Sequence, residues 1–231
     1  LNSSYNIYKQ LKKKNIIIEV SRIRKQENEG LSPLLSIEKI ILTKKQDSIY
    51  HDINKNFKKS NKPHFLHGVT GSGKTEIYLK LAYDFFSKGH SCLVLVPEII
   101  LSSQIYNRFK EYFGGNVLLW HSKMSDRYKR DAWIQMNNGT PLIIVGPRSA
   151  LFSPLTNLGL IIIDEEHDSS YKESEKQPSY NARDMAIIRG KFSGSMVLLG
   201  SATPSLETYY NTIIDKYHLY TINERYGESI L

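Results

Sequence analysis

The chain has 231 residues, 40% of them hydrophobic and 23% charged, with a formal net charge of +8 and a single cysteine. That length and balance allow a sizeable core and exclude wholesale disorder, and Cys92 alone excludes a disulfide framework or a cysteine-cluster metal site. The charge excess is local: residues 1–62 hold 14 Lys/Arg against 6 Asp/Glu, whereas residues 63–231 hold 17 of each. A basic run of this kind suits either a polyanion-facing surface or a solvated face, and charge alone leaves both open.

Along the chain, residues 5–14 read as a short helix, and 15–24, with the run Ile16-Ile17-Ile18, read as a strand. Residues 25–36 are polar, hold Gly30 and Pro33, and read as a linker, so a boundary is expected near 35/36. Beyond it, apolar runs recur at 65–67, 92–96, 117–120, 142–145, 160–163 and 196–199. They are continuous rather than alternating, as strands covered on both faces should be. Helical stretches over 74–88, 99–113 and 125–138 lie between them, each followed by glycine, a stop signal. Strand–helix alternation of this length predicts an α/β fold with a mostly parallel, doubly wound sheet. No apolar stretch approaches the roughly 20 residues of a membrane span. Nor does a secretory leader open the chain, so a cytoplasmic protein is expected. The first residue is Leu1 rather than Met, which suggests a piece of something longer.

Gly68-Val69-Thr70-Gly71-Ser72-Gly73-Lys74-Thr75 fits the G-x-x-x-x-G-K-[ST] phosphate loop and sits between a strand and a helix, the context it requires. Phosphate oxygens must approach backbone N–H groups closely, and glycines at 68, 71 and 73 remove side chains and permit unusual dihedrals. The helix N-terminus adds partial positive charge. Lys74 supplies a point charge for the β- and γ-phosphates of ATP, and the Thr75 hydroxyl can ligate Mg²⁺. A metal partner is expected on a second strand end. Ile161-Ile162-Ile163-Asp164 places Asp164 there, with Glu165 beside it to polarise an attacking water.

Asp164-Glu165-Glu166-His167, a DEAH-box-like quartet, and Gly200-Ser201-Ala202-Thr203-Pro204-Ser205 resemble paired boxes of superfamily 2 helicases. Adding residues 68–76, Leu95-Val96-Pro97-Glu98-Ile99 and Asp168-Ser169-Ser170-Tyr171-Lys172, the chain resembles the PriA family of primosomal replication-restart DNA helicases over roughly residues 42–210. The resemblance implies a RecA-like P-loop NTPase domain over 36–231, preceded over 1–35 by the remnant of a winged-helix-like domain and a linker. It also implies ATP and Mg²⁺ as cofactors, with zinc only in a remainder outside this chain. DNA, forked and single-stranded, is the implied partner, together with single-strand-binding protein and primosome components, and no membrane. By the same resemblance Gln46, in Leu42-Thr43-Lys44-Lys45-Gln46, reads adenine, and His167, Ser201 and Thr203 couple nucleotide state to the nucleic acid. Glu98, Gln104, Arg148, Ser149, Tyr171, Lys172, Tyr180 and Arg183 stand where the family meets DNA, the tyrosines as stacking platforms. Pro147 replaces the family's usual threonine, which removes a hydroxyl and an N–H from that turn. Arginine fingers from a second RecA-like domain complete such sites, so weak hydrolysis by this chain alone is expected. An RNA-directed helicase domain and a non-hydrolysing DNA- or primosome-binding module stay open as alternatives. A small-molecule kinase or GTPase fits the acidic quartet and the 201–203 box less well.

Overall fold

The computed structural model describes residues 13, 40–98, 104–175 and 177–224. The chain divides into two compact units, Leu1–Gly30 and Leu31–Leu231, and the elements below belong to the second. The helix and strand expected over 5–24 and the linker after them lie outside the described residues, Lys13 apart.

The second unit opens with α1 (Lys44–Lys59), which sequence reading passed over because most of its residues are polar. It forms because its ends are well made. Thr43 accepts from the Gln46 backbone while the Gln46 side chain accepts from the Thr43 N–H, a reciprocal cap, and Lys58 and Lys59 meet the negative end of the helix dipole. Ile49, Tyr50 and Ile53 recur on one face and are its buried apolar residues. Strand β1 (His64–Gly68) leads through the glycine-rich loop into α2 (Lys74–Ser87). There follow β2 (Ser91–Leu95), α3 (Gln104–Phe113), β3 (Val117–Leu119), α4 (Asp126–Asn137) and β4 (Ile143–Gly146). The remainder comprises β5 (Leu158–Asp164), the short hairpin strands β6 (Lys172–Glu173) and β7 (Tyr180–Asn181), α5 (Ala182–Ser193), β8 (Met196–Ser201), α6 (Leu206–Ile213) and β9 (His218–Ile222). The glycines read as helix stops, Gly89, Gly114 and Gly139, all have positive φ.

Seven strands form one sheet in the order β3-β4-β2-β5-β8-β1-β9, every pairing parallel. All residues of β2, β4, β5 and β8 are buried, which explains their continuous apolar runs. Period-2 alternation divides those side chains between two layers. Cys92, Val94, Ile143, Val145, Leu160, Ile162 and Leu198 pack with α1, α2 and α3 through Ile53, Tyr78, Leu81 and Phe109. Leu93, Leu95, Ile144, Ile161, Ile163, Val197 and Leu199 pack with Ala132 and Met136 of α4 and Ala182 and Ala186 of α5. The α/β, doubly wound expectation holds. Because the strands are parallel, the loops after β1, β5 and β8 leave from one edge, and these three strands stand side by side in the sheet.

Candidate functional site

The loop between β1 and α2 has the open, glycine-shaped backbone expected of a phosphate loop. Gly71 and Gly73 hold φ of 80° and 77°, left-handed values that side chains rarely adopt. At Gly68 the need is space, since a Cβ there would stand 2.6 Å from Ser72 Oγ. Lys74 is buried and donates from Nζ to the Gly68 carbonyl at 2.8 Å, so its charge is folded over the loop. Gln46 braces this loop from α1. Its Nε2 donates to the Ser72 carbonyl at 3.0 Å and the Gly73 carbonyl at 3.4 Å, while its Oε1 accepts from the Thr43 N–H at 2.8 Å. Both ends of the amide expected to read adenine are engaged within the protein, and the side chain is buried.

Across the cleft, Asp164 ends β5 and is 7% exposed. Burial and the adjacent Glu165 charge push its carboxyl up to about 6, against a hydrogen bond from Tyr78 and the Lys74 charge. Glu165 takes a positive φ of 46°, a conformation uncommon outside glycine and of the kind found at functional sites. A cleft of about 510 Å³ brings Thr70, Lys74, Thr75, Asp164 and Glu165 together, and Gln104 and Arg108 of α3 line it too. The Thr75 hydroxyl and the neighbouring Asp164 and Glu165 carboxyls thus face one cleft, a donor set that suits a hard divalent cation. Among the described residues no group of three or more His, Cys, Asp or Glu side chains could hold a metal. A cation here would therefore draw its remaining ligands from phosphate and water.

The residues expected to couple nucleotide to nucleic acid meet directly. His167 Nδ1 lies 2.7 Å from Ser201 Oγ and 3.6 Å from Glu165 Oε2, and its Nε2 lies 3.2 Å from Thr203 Oγ1. Ser201 Oγ also accepts from the Thr203 N–H at 3.0 Å. The loops after β5 and β8 are joined through one imidazole.

The DNA-facing residues divide. Glu98 and Lys172 are exposed, Ser149 and Tyr180 half-buried, and Tyr180 packs edge-on against Phe152. Arg148 ties the turn after β4 to the loop after β5, donating to the Ser170 and Lys172 carbonyls and pairing with Glu173. Two expectations need correction. Tyr171 is 1% exposed and donates to the Asp164 carbonyl at 2.6 Å, so its ring is core rather than a stacking platform. Arg183 is buried against Glu166 at 3.2 Å and Ser205 at 2.6 Å, which leaves it no open face for a DNA phosphate. Gln104 is exposed and lines the cleft of the glycine-rich loop.

Sequence reading missed several participants. Glu166 is buried and accepts from the Ser205 N–H and the Ser205 and Thr208 hydroxyls, clamping the start of α6 to the end of β5. Arg108 lines the cleft but is held by Glu76 at 3.2 Å and Glu111 at 3.0 Å. Nothing in the local pattern of α3 pointed to it. Tyr78 bonds Asp164, and its position one helical turn after Lys74 was a usable signal.

The fold and the joined loops define a RecA-like helicase-type domain. The chain belongs to the family described as the type III restriction enzyme res subunit, whose model matches residues 39–206. It is 51% identical over 162 residues to the replication restart protein PriA of Chlamydia pneumoniae, covering 70% of this chain and 22% of that protein. It is also 50% identical over 167 residues to PriA of Rickettsia conorii, covering 72% of this chain and 26% of that one. The resemblance to PriA read from the motifs is thereby shown, over about a quarter of those relatives' length. Among solved structures, RecG bound to a three-way DNA junction matches with a TM-score of 0.59 at 25% identity, covering 83% of this chain and 25% of that one.

Proposed function

We propose that the chain is the first RecA-like domain of an ATP-dependent DNA helicase of the replication-restart type. The observation that carries this reading is the convergence of the phosphate loop, Asp164 and Glu165 on one cleft, linked by His167 to Ser201 and Thr203, in a chain half identical to PriA over 162 residues. Loop N–H groups and the α2 N-terminus receive the phosphates, and Lys74 exchanges the Gly68 carbonyl for a phosphate oxygen. Thr75 and Asp164 would hold Mg²⁺, which would supply charge neutralisation on the phosphates. Glu165, already held in an unusual backbone conformation, orients the attacking water. His167 then transmits the occupancy of the cleft to the loop after β8. DNA, forked or single-stranded, runs along the same sheet edge near Glu98, Ser149 and Lys172. The resemblance extends the proposal to single-strand-binding protein, primosome components and the cytoplasm.

Binding of a fluorescent ADP analogue to this chain tests the core of the reading. Lys74→Ala removes a charge-assisted contact and weakens binding by about 10- to 100-fold. Unchanged affinity would remove the phosphate loop from the proposal. Stimulation of ATP hydrolysis by forked DNA and by RNA, compared in a complete helicase carrying this domain, separates the DNA reading from an RNA-directed one.

A further inference from the structure

Tyr78 lies one turn beyond Lys74 on α2, so the two side chains share a helix face. It is fully buried, and its hydroxyl donates to Asp164 Oδ1 at 3.0 Å. The Asp164 main-chain carbonyl is held separately by Tyr171. In the β5–β8 ladder Asp164 stands opposite Gly200. A Cβ at residue 200 would lie 1.7 Å from the Tyr78 hydroxyl oxygen, 2.9 Å from its Cζ and 3.6 Å from Asp164 Oδ1. Gly200 is absent from the positive-φ glycines, so the glycine serves space rather than backbone freedom. Its neighbour Ser201 carries the bond to His167.

We propose that Tyr78 is a positioning residue for the metal-ligating carboxylate, and that Gly200 is glycine so that the Tyr78 hydroxyl can reach it. The inference deepens the proposed function and rests on Asp164 as the Mg²⁺ partner. A buried tyrosine hydroxyl needs some acceptor for packing reasons alone. Here the acceptor is one oxygen of the carboxylate itself, and a fixed donor on Oδ1 stops the carboxylate from rotating. Oδ2 is thereby kept for the cation or its water. The strand end that begins the 200–203 loop also borders this hydroxyl. A shift of β8 at Gly200 therefore changes the room left for Tyr78, and the metal carboxylate feels the state of the coupling loop by a route separate from His167.

The test uses this chain with Tyr78→Phe, Gly200→Ala and the double variant, a fluorescent ADP analogue titrated in EDTA and against Mg²⁺, and thermal melts. Tyr78→Phe is expected to leave affinity in EDTA within about twofold and to raise the Mg²⁺ concentration for half-maximal tightening by about 5- to 10-fold, one charge-assisted bond's worth. Gly200→Ala is expected to give the same displacement. The double variant is expected to be no worse than Gly200→Ala, because the hydroxyl that the methyl would meet is gone. Unmoved Mg²⁺ dependence in Tyr78→Phe, even with a lowered melting temperature, would overturn the inference and leave Tyr78 a packing residue. Additive defects in the double variant would overturn the role of Gly200. Should Gly200→Ala fail to fold, Tyr78→Phe decides. Absence of nucleotide binding by the unmutated chain would overturn the phosphate site as well, whereas normal binding with unmoved Mg²⁺ dependence sinks only this inference.

Discussion

Asp164 carries a charge that the fold would be more stable without. It sits at the end of a strand whose seven residues are all buried, next to a second carboxylate, and the nearby Lys74 ammonium is bonded to the Gly68 carbonyl. Its carboxyl titrates near 6 because burial and Glu165 disfavour ionisation. An unfolded aspartate titrates near 3.9, so between about pH 4 and pH 6 the folded state binds the extra proton and stability falls as pH rises. Above pH 6 the whole penalty remains. Asp164→Asn, which can still accept from Tyr78, is expected to stabilise the metal-free chain by roughly 2 kcal/mol at pH 8, the gap closing toward pH 4. Urea denaturation at the two pH values measures it, and a gap independent of pH would assign the effect to packing rather than charge. At this scale the convergence of the glycine-rich loop and Asp164 on one cleft was legible, because their spacing follows a recognisable pattern. Tyr171 and Arg183 were misread, because composition says that a ring or a guanidinium is present and not which way it points. Both turn inward to satisfy the polar groups that β5 leaves at its end, the Asp164 carbonyl and the Glu166 carboxylate.

Among the elements, α1 gains most from three dimensions. Its pattern is mostly polar, and only contact with α2 and β9 makes Ile49, Tyr50 and Ile53 a buried face. Gln46 serves both the helix, as half of its N-terminal cap, and the phosphate loop, as donor to two carbonyls. Gln46→Glu keeps the capping oxygen but sets a carboxylate against the Ser72 and Gly73 carbonyls. We expect it to destabilise the chain by about 2 kcal/mol and to weaken ADP and GDP analogues alike. A loss confined to the adenine nucleotide would restore base reading as the role of Gln46. The strands β1 to β5 and β8 and three glycine helix stops were legible from sequence, since burial on both sheet faces leaves an unbroken apolar run and a left-handed C-terminus calls for glycine, whereas β9, only partly buried, was passed over. The α3 side chains at the cleft were not, because Gln104 and Arg108 reach it through the packing of α3 beside α2.

In the molecule as a whole, the cleft is furnished by the phosphate loop, α2, α3 and the end of β5. Among the described residues its lining cations are Lys74, which the proposed function assigns to the bound phosphates, and Arg108, paired with two glutamates, so the cleft offers no unpaired arginine to meet charge developing on a transferring phosphoryl group. The chain alone should bind nucleotide and hydrolyse it at least about 10³-fold more slowly than a complete PriA-type helicase, the contribution of a missing arginine finger. Steady-state phosphate release measures this, and rapid turnover by these 231 residues would show that the cleft is self-sufficient. The sequence by itself determined the fold class and the kinship to PriA, and it marked out the glycine-rich loop and the strand-end Asp164, because each is written in local spacing and local periodicity. Only the tertiary structure decided that β8 lies between β5 and β1, that His167 joins two loops, that Tyr78 reaches Asp164 through the space left by Gly200, and that Tyr171 and Arg183 face inward. Those facts depend on strand order and on which residues a parallel register sets opposite each other, and positions 36 residues apart, such as Asp164 and Gly200, carry no local sign that they will meet.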